Sequence, residues 1–108
     1  MTTTPAKPGV IVTVLYKRTP NLHFNLSYYL SHHFPLAKKL WEPHGMTDGY
    51  MVVPKPDSEF AYTVTMHWKD IQAWEEATGD QEEMAELTGD VKNFTNEMPV
   101  FVVGNVVS

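Results

Sequence analysis

At 108 residues, 43% hydrophobic and 12% aromatic, the chain is expected to form one domain with its own core, at a size where a dimer interface adds useful burial. Eight basic against thirteen acidic side chains leave a net charge of −5, and only Lys17-Arg18 and Lys38-Lys39 stand as basic pairs. The clustered cations that grip a phosphate backbone are missing, so no nucleic-acid partner is expected. With no cysteine, disulfides, thiolate metal sites and cysteine nucleophiles are out of reach.

The opening residues, MTTTPAKPG, lack a charged start followed by an apolar core, which marks residues 1–9 as a flexible tail and not a signal peptide. No apolar run approaches the roughly 20 residues that cross a bilayer, so a cytoplasmic protein with no membrane partner is expected. Val10 to Tyr16, VIVTVLY, is a β-branched run that predicts a buried strand. Asn25 then offers an N-cap, and Phe24 a staple onto Tyr29, which predicts a helix reaching Trp41. At helical spacing Leu26, Tyr29, Leu30, His33, Ala37, Leu40 and Trp41 share its apolar face. Pro35 has no N–H for the carbonyl of Ser31 and biases Phe34 away from helical backbone, predicting a kink or break between His33 and Leu36.

Pro43 and Gly45 stop the helix, and Met46 to Val53 reads as a second strand. In the third, Glu59 to Trp68, the large residues Phe60, Tyr62, Val64, Met66 and Trp68 alternate with Ala61, Thr63, Thr65 and His67, so its two faces meet different surroundings. Asp70 caps a helix that turns Ile71, Trp74 and Thr78 inward and ends at Gly79. Asp80 and Glu83 form a capping box for the next, with Met84 and Leu87 inward and Gly89 closing it. A loop over 90–98 carries Phe94, and Pro99 leads into VFVVGNVV, a last strand in which Gly104 suggests a bulge or a close approach. The order is βαββαβ: two strand-helix-strand units fused into one antiparallel sheet, a ferredoxin-like α+β fold with its helices on one face. The valine-rich strands offer apolar residues to the other face too, and a homodimer that packs sheet on sheet is the simplest cover.

His33 is the candidate for chemistry. An imidazole among apolar neighbours, beside backbone acceptors freed by Pro35, has what a general acid or base near neutral pH requires. A satisfied core histidine is the plainer reading, and the residues alone leave both open. His32 next to it points about 100° away on a helix, so the two cannot share one metal. No phosphate-binding glycine loop, serine elbow or zinc signature occurs, which leaves proton transfer, binding, or chemistry borne by oxygen or a cofactor.

A strand ending in Val14-Leu15-Tyr16, a pair Tyr28-Tyr29, then His33-x-Pro35-Leu36 and Trp41, with Gly89-Asp90, Asn93-Phe94-Thr95 and Pro99-Val100 near the C-terminus, resembles the EthD family, named for a gene cluster that degrades ethyl tert-butyl ether. The resemblance runs from Val10 to Val107 and casts residues 10–108 as one EthD-like domain. It implies a dimeric α+β barrel and makes His33 the central functional residue. A pocket has two places open to it, inside the barrel or between sheet and helices; an inward His33 favours the second, where Tyr29 and Tyr16 are the catalytic partners expected to orient an oxygen. Phe60, Tyr62, Trp68, Phe94 and Trp41 are the expected substrate-binding wall, ordinary core packing being the alternative for each. The expected function is cofactor-independent acid/base chemistry, of lyase or isomerase type (decarboxylation, dehydration or cyclisation), on an aromatic or polyketide-like molecule of secondary metabolism, with no metal. An oxygenase or oxygenase partner, cofactor-free or haem-dependent, and a non-catalytic dimeric carrier are the alternatives.

Overall fold

Side-chain caps set the helix starts. In the computed structural model, which describes residues 7–108, Asn25 accepts from the N–H of Tyr28 at 3.0 Å, Asp70 from Ala73 at 2.8 Å and Asp80 from Glu83 at 3.1 Å. Four strands, β1 (Val10–Lys17), β2 (Met46–Val52), β3 (Phe60–Trp68) and β4 (Val100–Asn105), form one sheet in the order β2-β3-β1-β4, every pair antiparallel. The helices are α1 (Leu26–Tyr28), α2 (Phe34–Trp41), α3 (Ile71–Gly79) and α4 (Gln81–Asp90). This is the ferredoxin-like α+β plan. Most of the expected tail, residues 1–6, lies outside the described residues. Gly9 is pinned, its N–H donating to Trp68 at 3.0 Å and its carbonyl accepting from Val106 at 2.9 Å.

Alternation along β1 sets the layers. Val10, Val12, Val14 and Tyr16 are buried beneath the helices while Ile11, Thr13 and Leu15 turn to the open face. In the ladder Val64 and Met66 join the first row and Thr63, Thr65 and His67 the second. Between Tyr16 and Lys17 the pairing jumps from Tyr62 to Phe60, a bulge that leaves Ala61 over and buries it. The open face is half polar, over β2 and β3, and half apolar, over β1 and β4, where Val100 and Val102 stand 42% and 53% exposed.

Five local expectations are corrected. Pro35 does not break the helix: Phe34 keeps helical backbone, φ −62° and ψ −46°, and the strain is absorbed upstream as a π-helical turn over Tyr29–His33. That wide turn gives its inward positions to Tyr29, His33 and Phe34, so Leu30, expected inside, is 50% exposed. On α3 the innermost row is Ala73 and Ala77, small enough for close approach to the sheet, with Ile71, Trp74 and Thr78 only half-buried. Gly89 does not end α4, which runs on to Asp90 and through a 3-10 turn at Val91–Asn93. Gly104 marks neither a bulge nor a close approach: it pairs regularly with Ile11 and has open space where a Cβ would stand. Gly45, by contrast, is required by its φ of +132°.

Candidate active site

The wide turn decides what the first helical segment shows the sheet. In a regular helix the Phe34 N–H would reach Leu30; here it reaches the carbonyl of Tyr29, and the extra residue in the turn lets Tyr29 and His33 both face inward. π-turns of this kind recur at functional sites because they re-aim side chains without ending the helix. Between the turn and the sheet lies an apolar cavity of about 100 Å³. Tyr16, Tyr29, His33 and Trp41 are in its wall, together with Val14, Val64 and Met66 from the sheet.

His33 is held from the far end of the chain. Its Nδ1 lies 3.0 Å from Oδ2 of Asp90, the last residue of α4, and the two side chains are 12% and 15% exposed. The other oxygen of Asp90 accepts from the Tyr28 hydroxyl at 2.6 Å and from the Asn93 amide at 2.9 Å. Partial burial pushes the Asp90 carboxyl pKa up, but hydrogen bonds from Tyr28, Asn93 and His33 outweigh it and hold the group below the usual carboxylate range. Burial pushes His33 down, and the hydrogen bond and charge of Asp90 only partly restore it, so its pKa lies below that of a free imidazole. The ring is therefore neutral at neutral pH. Because an ionised carboxylate only accepts, the contact assigns the proton to Nδ1 and the lone pair to Nε2. Nε2 has no hydrogen-bond partner among the described residues. Phe94 packs on the ring at 4.6 Å and Tyr29 at 5.3 Å.

The two cavity tyrosines are 2% and 4% exposed, and neither hydroxyl is hydrogen-bonded among the described residues. Burial drives the pKa of Tyr16 up; burial and then the nearby Tyr16 do the same for Tyr29. Both stay protonated and can only donate to, or accept from, a guest. The arrangement offers a neutral, carboxylate-oriented base beside two unpartnered hydroxyls in an apolar hollow.

The aromatic wall expected from the sequence is thus only partly assembled. Trp41 lines the cavity. Trp68 is fully buried behind it, edge-on to Trp41 at 5.6 Å and to Trp74 at 5.2 Å. Phe94, also fully buried, backs His33 instead of facing a guest. Tyr62 stacks on Phe24 at 4.1 Å, beyond the cavity, and Phe60 sits at the bulge near Arg18. These four residues pack around the site without lining it. Asp90, Tyr28 and Asn93 had no role in the expected site. The signal available for them was their place in the motifs that carry the resemblance, Tyr28-Tyr29, Gly89-Asp90 and Asn93-Phe94-Thr95.

An antiparallel sheet in the order β2-β3-β1-β4 with its helices on one face is the fold of EthD-like proteins. An EthD-like protein from Ralstonia eutropha JMP134 superposes with a TM-score of 0.78 at 20% identity, over 95% of this chain and 96% of that one. An ethyl tert-butyl ether degradation family protein from Bacillus halodurans C-125 gives 0.67 at 20% identity, over 92% and 99%. SnoaB from Streptomyces nogalater, a cofactor-independent oxygenase, gives 0.66 at 12% identity, over 95% and 96%. No family model and no curated protein matches the sequence. No helix among the described residues is long and apolar enough to cross a membrane.

The charge network makes a pH-dependent contribution with a definite sign. A depressed Asp90 stabilises the fold above its ordinary pKa of 3.8, and that contribution is lost as the pH falls through the folded value. The depressed His33 acts in the same direction below 6.5, because the unfolded chain takes up that proton first. Tyr28→Phe should therefore lower stability at neutral pH in urea melts, and its gap from wild type should shrink as the pH drops below 3.8. A gap constant with pH would mean that the hydroxyl does not act on the carboxylate.

Proposed function

We propose that the protein is an EthD-like small-molecule enzyme in which His33 moves a proton to and from an aromatic or polyketide-like substrate without a cofactor. The observation that carries this reading is the Asp90-oriented imidazole, with Nδ1 3.0 Å from the carboxylate, set in an apolar cavity. A proton leaves a carbon next to a carbonyl for Nε2, and the electron pair moves onto the carbonyl oxygen. The hydroxyls of Tyr16 and Tyr29 donate to that oxygen, and Asp90 stabilises the imidazolium. Expulsion of a β-hydroxyl, with the proton handed back by His33, completes a dehydration. Attack of the enolate on a second carbonyl of the same molecule closes a ring. With a β-keto acid the carboxyl proton passes to Nε2, loss of carbon dioxide gives the same enolate, and the imidazolium so formed protonates its carbon.

The oxygenase reading has one observation in its favour, the likeness of fold to a cofactor-independent oxygenase. Its first step is the same: an enolate formed on an electron-rich ring passes electrons to molecular oxygen. A haem-dependent version fits less well, since about 100 Å³ is well below the roughly 300–1,000 Å³ of pockets for drug-sized ligands. A carrier needs the cavity but no base.

Proton abstraction is measurable before the natural substrate is identified. With cyclic ketones and β-diketones in deuterated water, the protein without added metal should speed exchange of the carbon-bound proton. His33→Ala should slow it by about 10²–10⁴-fold while circular dichroism and melting temperature hold. Binding without exchange, unchanged in His33→Ala, would make the protein a carrier.

The second part of the proposal is a homodimer joined through the open sheet face. Val100 and Val102 are exposed there with Tyr50 and Val52, next to the half-buried Ile11 and Leu15, while the helices cover the opposite face. A second copy of the same face buries this strip with two-fold symmetry. Val102→Asp, placing a carboxylate opposite Thr13, should convert a dimer to a folded monomer in sedimentation velocity. A wild-type monomer at high micromolar concentration would refute the dimer.

A further inference from the structure

One side of the cavity is closed by residues that stand in the open. Met98 and Phe101 belong to its wall, yet they are 62% and 44% exposed. They mark a mouth, with Met84 and Thr88 of α4 across from them. Register puts Phe101 opposite Val14 and Val103 opposite Val12, so both belong to the row of the sheet that the helices cover elsewhere. Over β4 that cover is missing: all six of its residues are exposed, and the nearest aromatic neighbour of Phe101 is the Trp74 ring at 6.1 Å. The apolar interior thus runs out without a break onto a strip of surface, and among the described residues no charged side chain lines the cavity or its mouth.

Two facts say what lies on this strip. The hollow of about 100 Å³ is smaller than the 150 Å³ or so of an engineered cavity that accepts benzene, so it encloses no more than one ring. The strip is also on the helix side of the sheet, opposite Val100 and Val102, and a partner seated on the open face leaves it bare. Methionines at the mouth adapt to guests of differing shape. We propose that the substrate has two parts: an oxygen-bearing ring seated at Tyr16, Tyr29 and His33, and an uncharged apolar tail that leaves through the mouth and lies over Met98 and Phe101. This rests on the reading of the cavity as the substrate site, and it makes Met98 and Phe101 the residues that set tail length.

The test is a series of 4-alkylphenols of increasing chain length, bound to the full protein and followed by calorimetry. Each added methylene should tighten binding to wild type by up to about fourfold, the equivalent of about 0.8 kcal/mol per buried CH₂, until the strip is covered. In Phe101→Ser and in Met98→Ser the increment per methylene should largely vanish, whatever happens to the affinity for phenol itself; both residues are exposed, so both variants should fold. His33→Phe should keep the increments whatever it does to proton exchange, so loss of the acid/base reading and loss of the tail strip are told apart. Flat increments in wild type overturn the proposal. So do increments that survive both serine variants, and so does a Phe101→Ser protein that turns monomeric with its increments intact, which would make the strip an interface between copies.

Discussion

The bond between His33 and Asp90 ties together two side chains that are far apart in sequence. One partner comes from the helix after β1 and the other from the end of the helix pair before β4, 57 positions later. The bond fixes the tautomer of the imidazole and turns Nε2 into the free nitrogen. It also draws Tyr28 and Asn93 into one polar network around a single carboxylate. A buried imidazole without it would be a weakly basic group of undefined orientation; with it, the ring can take a proton and return it to the same place.

The backbone serves that bond at both ends. The π-helical turn at Tyr29–His33 gives the first segment one extra inward position, so that a tyrosine and the histidine both reach the cavity. At the other end α4 continues past Gly89 and through a 3-10 turn, which brings Asp90 and Asn93 onto one side and buries Val91 and Phe94 beneath them. Phe94 then closes the space behind the imidazole, and its desolvation is what keeps His33 neutral. The packing that depresses the pKa and the carboxylate that partly restores it act on the same ring, and burial wins, so the pKa stays below that of a free imidazole.

Much of this was legible in the residues. The caps at Asn25, Asp70 and Asp80, the alternation in β1 and β3 and the order of elements follow from local rules, and they suffice for a ferredoxin-like sheet. His33, Tyr16 and Tyr29 are brought to one cavity by the periodicities that first singled them out. What was hidden is non-local or depends on a choice between near-equal backbones. Asp90 meets His33 only once the sheet has closed, and no spacing rule links them. A proline four residues after Ser31 says that a hydrogen bond is lost but not whether the helix breaks or widens. Gly89 looks like a stop signal, and the burial of Leu87, Val91 and Phe94 overrides it. Aromatic residues on the right face of β3 looked like a binding wall, but three tryptophans edge-on to one another and a stack of Tyr62 on Phe24 are ways of filling a core.

The central claim is that Asp90 fixes a neutral His33 with its lone pair on Nε2, and nitrogen-15 NMR of the imidazole tests it most directly, with His32→Gln used to secure the assignment. The account predicts a single Nδ1–H tautomer, a pKa below the free-imidazole 6.5, and a further fall in Asp90→Asn as the negative charge is removed. A mixture of tautomers titrating at the free-imidazole value, indifferent to Asp90→Asn, would contradict it.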